Sequence, residues 1–143
     1  MNINETIKNI SIILGTSVSD IEKYVEIFQN KVIVIKYGGH AMGDKKLAHT
    51  FAEDVTLLQK LSIKPVVVHG GGPQIGSMLD KLKIESSFID GLRITNEETV
   101  EIVEMVLSGS INKDIVNKIH AAGGLAIGLS GKDAKLILAN KLT

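Results

Sequence analysis

The feature that most constrains this chain is a pair of short aliphatic runs, each cut off by glycine and each followed by a helical stripe. Lys31-Val32-Ile33-Val34-Ile35-Lys36 is rich in β-branched residues and does not alternate between apolar and polar. Such a run suits a strand covered on both faces, as in a parallel sheet. It stops at Tyr37-Gly38-Gly39. The spacing of Leu47, Phe51, Val55 and Leu58 predicts a helix from Asp44 to Leu61. Val66-Val67-Val68 reads as a second buried strand, which stops at His69-Gly70-Gly71-Gly72, and Pro73 stands where a first helical residue goes. Ile75, Met78, Leu79 and Leu82 carry the next stripe. Residues 31–82 therefore form a βαβα unit. The fold class is α/β, a three-layer αβα sandwich with a mostly parallel sheet and helices on both faces.

The flanks are weaker. Residues 1–18 show no clean period and read as a weak helix or a loose arm. A short helix is expected from Asp20, with Ser19 as its cap and an apolar stripe of Ile21, Val25 and Phe28 that has no assigned partner in the core. Residues 86–94 read as short extended pieces around a Gly91 turn, a hairpin. Thr95-Asn96-Glu97-Glu98 is a capping box opening a helix to about Leu107, with Val100, Val103 and Val106 facing inward. Ser108-Gly109-Ser110 should break it, and Ile111, Ile115 and Ile119 mark another helix ended by Gly123-Gly124. Leu125 to Leu129 is expected as a third strand and Lys135 to Leu138 as a fourth. Thr143 follows a strand directly, so the expectation is the first part of a longer protein.

Composition narrows the function. At 143 residues the chain can bury a real core. Sixteen Lys plus Arg balance sixteen Asp plus Glu, which leaves no electrostatic footprint for nucleic acid or an anionic membrane. With no cysteine, thiolate metal sites and cysteine nucleophiles are excluded. Apolar residues are 44% and aromatics 3%, so the core is aliphatic. No apolar run approaches a membrane span. The start lacks the basic region of a signal peptide, and the expected location is the cytoplasm.

Both glycine turns lie at the C-terminal ends of strands, where open α/β sheets bind ligands. Glycines there expose backbone N–H groups, and the helix after the second turn adds its positive end. Lys36, beside the first turn, can serve as a compact point charge for a transferring phosphoryl group; taken alone, it reads as a solvated strand-end lysine. Arg93 can grip a carboxylate with its planar fork; taken alone, it reads as a surface arginine. Other motifs fail. A dinucleotide fingerprint from Gly70 needs glycine where Ile75 stands. Gly131-Lys132 lacks the first glycine of a phosphate-binding loop, since Ala126 stands there, and Asp133 replaces its hydroxyl residue. His40, His49, His69 and His120 have no metal-ligand spacing, and no metal site is expected.

Four blocks stand in order: Lys36-Tyr37-Gly38-Gly39-His40-Ala41-Met42, then Val66 through His69-Gly70-Gly71-Gly72-Pro73-Gln74-Ile75, then Asp90-Gly91-Leu92-Arg93-Ile94-Thr95, then Gly128-Leu129-Ser130-Gly131-Lys132-Asp133. From about Asp20 to Leu138 the chain resembles the acetylglutamate kinases of the amino-acid kinase family. The resemblance implies phosphorylation of the side-chain carboxylate of N-acetyl-L-glutamate, with ATP and magnesium, in arginine biosynthesis. It implies that Lys36 stabilises the transition state, that Gly38 and Gly39 contact ATP phosphates, that Gly71 and Gly72 bind the substrate beside the reacting carboxylate, and that Arg93 holds its other carboxylate. His40 departs from the asparagine common there. The family's second half, which holds the nucleotide base and adds a lysine, an aspartate and an asparagine, has no counterpart in this chain. The implied division is an N-terminal helical extension at 1–30, similar to that of arginine-inhibited hexameric members, and a substrate-binding lobe at 31–143. A homo-oligomer, dimer or hexamer, is expected. Two other readings stay open: an amino-acid kinase for glutamate, aspartate, carbamate or a nucleotide, and a non-catalytic binding module for an acylated amino acid.

Overall fold

The computed structural model describes residues 2–140; of Gly39 and His40 only the place in a 3₁₀ turn is described. The chain divides into two units, Met1–His69 with Lys118–Leu125, and Gly70–Asn117 with Ala126–Thr143.

The first unit opens with two helices. α1 (Ile3–Leu14) is capped by Asn2, whose side chain accepts from the Asn4 N–H, and ends at Gly15, φ 62°, in the left-handed conformation typical of helix ends. The residues that read as a loose arm are thus a capped helix. Of its apolar residues Ile7 and Ile10 are buried, with Thr6 and Ser11 beside them, while Ile12, Ile13 and Leu14 are exposed. α2 (Val18–Phe28) is capped by Ser17 rather than Ser19: the Ser17 hydroxyl accepts from the Asp20 N–H at 3.1 Å. Val25 and Ile21 pack with Ile7, Ile10, Leu61 and Ile63, so two of the three stripe residues expected to lack a partner belong to a core, while Phe28 stays exposed. β1 (Val32–Tyr37) pairs in parallel with β2 (Lys64–His69), in register from Val32↔Lys64 to Tyr37↔His69. Between them runs α3 (Lys45–Lys60), started by Asp44, whose carboxylate accepts from the N–H groups of Lys46 and Leu47.

The expectation that these strands are buried on both faces is corrected. Exposure alternates along both: Ile33 packs on the core cluster, while Val34 and Val68 are 66% and 51% exposed. Apolarity on both faces records a demand for cover, and only one face receives it in this chain.

The second unit begins with α4 (Gly72–Leu82), in which Gly72 is the first helical residue and Pro73 the second. β3 (Phe88–Ile89) and β4 (Leu92–Arg93) form the expected antiparallel hairpin. Its two turn residues, Asp90 and Gly91, both have positive φ, which Asp-Gly supplies readily. α5 (Glu97–Glu104) is capped by Asn96, which accepts from the Thr99 N–H at 2.8 Å. The expected break at Ser108-Gly109-Ser110 does not occur. A π-helical segment, Met105–Ile111, joins α5 to α6 (Asn112–Ala121). The wider turn carries the helix through residues of poor helical propensity, as π-bulges do. α6 runs from the second unit into the first and stops at Gly123, φ 84°.

The expected third and fourth strands are also absent from the described residues. Leu125 to Leu129 forms no strand, and Lys135 to Leu138 is the end of a 3₁₀ turn followed by irregular chain. A strand needs a neighbouring edge, and here side chains hold the backbone groups instead. The Gln59 amide donates to the Leu125 carbonyl at 2.6 Å and accepts from its N–H at 3.0 Å. Further along, Lys113 and Asn112 donate to the carbonyls of Gly128 and Leu129.

Candidate functional site

The parallel register ends both strands at one level, Tyr37 opposite His69, and a glycine follows each directly. In the first unit Lys36 is exposed, on the uncovered face of β1 with Val34. Tyr37, next in the strand, goes to the other face and is 5% exposed. Its ring stacks on Phe51 of α3, centroids 3.9 Å apart and planes within 5°, and its hydroxyl donates to the Ala41 carbonyl at 2.9 Å. A Cβ at Gly38 would meet no atom within 4 Å, so the backbone there is open to approach. The surroundings of Gly39 and His40 lie outside the described residues.

In the second unit the glycine turn runs straight into α4. No side chain caps this helix, which leaves the N–H groups of its first turn to an anion. A Cβ at Gly70 or Gly72 would meet nothing within 4 Å, whereas one at Gly71 would stand 2.5 Å from Ile111 Cδ1 and 2.7 Å from Leu107 Cδ2. Gly72 is thus open, and Gly71 is where α4 packs against the π-helical segment. Its φ of 177° is ordinary extended backbone, so packing alone explains its residue type.

Arg93 is held on three sides. One guanidinium nitrogen donates to the Ser86 hydroxyl, the group lies 4.6 Å above the Phe88 ring, and Nη2 lies 3.8 Å from where a Gly76 Cβ would be. Gly76 is four residues along α4 from Gly72, about 6 Å at the helical rise. Arg93 and the open helix start therefore belong to one neighbourhood. Lys36, Gly38 and Gly39 belong to the first unit, and Gly71, Gly72 and Arg93 to the second, linked through the chain at His69-Gly70.

A cleft of about 520 Å³ in the second unit lies elsewhere, between the π-helical segment and the Gly128–Asp133 loop, with Glu104, Met105, Lys113 and Leu129 in its wall. None of the residues expected to bind substrate lines it. The loop is held by its own groups: the Asp133 carboxylate accepts from the Ser130 N–H and hydroxyl, and these bonds, backbone first, hold its pKa below the usual value. Lys132 pairs with Glu104. Tyr37, Asn112 and Lys113 were not singled out from sequence. The one local sign was a tyrosine ending a strand that is aliphatic up to Lys36.

Comparison with known proteins fits this arrangement. Residues 31–142 match the Amino acid kinase family. The chain is 62% identical to an acetylglutamate kinase of Rhodospirillum rubrum over 88% of its own length and 41% of that protein. It is 52% identical to one of Vesicomyosocius okutanii over 99% of its length and 44% of that protein. It thus spans about two fifths of the curated relatives it matches. Among solved structures it is similar to smu.665 from Streptococcus mutans UA159, with a TM-score of 0.58 and 29% identity over 66% of this chain and 37% of that one. An N-acetylglutamate synthase from Neisseria gonorrhoeae shares the fold at a TM-score of 0.59 and 18% identity, over 71% of this chain and 23% of that one. Two strands paired in parallel, each ending at a glycine turn, and a family pattern covering residues 31–142 lead to one assignment: the chain belongs to the amino acid kinase family.

Proposed function

We propose that this chain is the amino-terminal, substrate-binding part of an acetylglutamate kinase, which transfers the γ-phosphoryl group of ATP to the side-chain carboxylate of N-acetyl-L-glutamate in arginine biosynthesis. The observation that carries the reading is Arg93, braced by Ser86 and Phe88 beside a helix whose first turn is uncapped. A fixed fork suits a carboxylate that does not react, and an open helix start suits the charged group that does.

In this reaction a carboxylate oxygen forms a bond to the γ-phosphorus, the bridging P–O bond breaks, and ADP leaves with the electron pair. The product is an acyl phosphate. Such transfer rests mainly on positioning and charge neutralisation. Arg93 takes the α-carboxylate with parallel N–H bonds. Gly71 and Gly72 border the reacting carboxylate, with Gly72 offering the open backbone. Gly38 and Gly39 receive the phosphates, and Lys36 offsets the charge that develops on the transferring group. Magnesium enters with the nucleotide; among the described residues no group of three or more His, Cys, Asp or Glu is placed to hold it.

Residues 1–30 are the helical extension and residues 31–143 the substrate-binding lobe. The base-binding lobe lies in the part of the relatives that this chain does not span. In the complete protein the sheet is the centre of a three-layer sandwich, and the exposed apolar residues Val34, Val68 and Ile127 fit that burial. Ile12, Ile13 and Leu14 of α1, each more than 60% exposed, fit an interface in a dimeric or hexameric homo-oligomer. The enzyme is cytoplasmic; no described helix is long and apolar enough to cross a membrane. The test is trapping of the acyl phosphate by hydroxylamine in the full-length protein. Hydroxamate should form from N-acetyl-L-glutamate with ATP, and not from free glutamate or aspartate. Its absence with N-acetyl-L-glutamate would remove the assignment.

A further inference from the structure

We propose that Tyr37 is a positioning residue for the nucleotide phosphates, acting through the first glycine turn. This rests on reading Gly38 and Gly39 as the phosphate-binding turn. The turn is fixed at its start by the strand ladder, where Tyr37 stands opposite His69, and beyond its end by Asp44, which caps α3. Between these points stand two consecutive glycines, the residue type with the most backbone freedom to lose. The bond from the Tyr37 hydroxyl to the Ala41 carbonyl ties the middle of this span. The hydroxyl is itself fixed, because the ring is 5% exposed and stacked flat on Phe51.

The residue type fits both demands. An apolar body serves the packing of β1 on α3, and a polar tip reaches back across the turn. Strand alternation sends Lys36 to the opposite face, so neighbouring residues divide the work: Lys36 supplies charge, and Tyr37 holds the turn that follows. Donors aimed at a phosphate act fully only when their direction is set before the ligand arrives.

The experiment uses the full-length protein and replaces Tyr37→Phe, which keeps the ring and its stack and deletes the hydroxyl. Amide hydrogen exchange over residues 38–42 should quicken, and the KM for ATP should rise about fivefold, the factor a typical intramolecular hydrogen bond represents. The KM for N-acetyl-L-glutamate and the melting temperature should change little. Phe51→Leu keeps the hydroxyl and removes the stack; it should give a smaller loss with the same selectivity for ATP, alongside a lower melting temperature. Wild-type exchange over 38–42 in Tyr37→Phe, or an equal rise in both KM values, overturns the proposal. If the unaltered protein does not phosphorylate N-acetyl-L-glutamate, the functional reading falls, while exchange and binding of a non-hydrolysable ATP analogue still decide the role of Tyr37.

Discussion

The two glycine turns look alike in sequence, and the folded chain treats them differently. The first, after β1, enters a 3₁₀ turn and is closed by a side chain, the Tyr37 hydroxyl on the Ala41 carbonyl. The second, after β2, enters α4 at once and is closed by packing, with Gly71 against Leu107 and Ile111. One is a loop held from outside, and the other is the start of a rigid element. A flexible triphosphate suits the first, and a small substrate gripped at both ends suits the second. Glycine itself says neither: Gly38, Gly70 and Gly72 leave open space, and Gly71 leaves none.

If the first turn is the phosphoryl side, the largest effect belongs to Lys36. In the full-length enzyme Lys36→Met should lower kcat by about a hundredfold or more, the scale of losing one charge-stabilising donor. Both KM values should stay near normal, and so should the melting temperature, since Lys36 is exposed. A steady-state assay with normal kcat would break the division between the turns. Next is Arg93→Lys, which keeps charge and loses the fork. The KM for N-acetyl-L-glutamate should rise about tenfold or more, matching roughly 1.5–3 kcal/mol for a charge-assisted bond. The KM for ATP should barely move.

Smaller still are the paired changes within the second turn. Gly71→Ala must push Ile111 and Leu107 aside and should destabilise by about 1–3 kcal/mol, as overpacking does. Gly72→Ala meets no atom and should leave the melting temperature unchanged while raising the KM for the amino-acid substrate. Calorimetry and kinetics on the two variants should separate, and equal behaviour would refute the packed-against-open contrast. The smallest effect sharpens the comparison with a third glycine turn, around Gly131, which is held by its own side chains. Asp133 has its pKa lowered by bonds from the Ser130 N–H and hydroxyl, with Lys113 adding a weaker pull. A lowered value in the folded state means that the stabilisation is complete above the ordinary carboxylate range. It is lost as pH falls through the folded value, below the usual 3.8. Carboxyl NMR titration should put Asp133 below the ordinary carboxylate value, and Asp133→Asn should loosen the turn at neutral pH. Titration at or above the ordinary value would show that the turn is not held from within.

Much of this was readable along the chain because it is local chemistry. Asp44 starts α3 where the sequence places it, α5 is capped by Asn96, one residue past the expected Thr95, and Asp90-Gly91 makes its hairpin. Ile111, Ile115 and Ile119 are all buried, as their spacing requires. The errors share one cause. Ser108-Gly109-Ser110 reads as a break, yet the backbone widens into a π-turn and continues, because the residues on either side are buried. Leu125 to Leu129 reads as a strand, and Gln59, Asn112 and Lys113 take its backbone groups instead.

The sequence by itself determined the βαβα order of residues 31–82, the family and the residue types available at the two turns. Propensity, capping and periodicity act between residues a few positions apart, and a single chain carries all of them. The tertiary structure decided which glycines stay open, which face of the sheet is covered, and how the Arg93 fork is braced by Ser86 and Phe88. It also decided that Tyr37 closes the first turn, a bond spanning four residues but aimed by a ring 14 positions away at Phe51. Each of these depends on what lies opposite a residue in space. Burial and pairing are properties of two surfaces, and the sequence lists only one at a time.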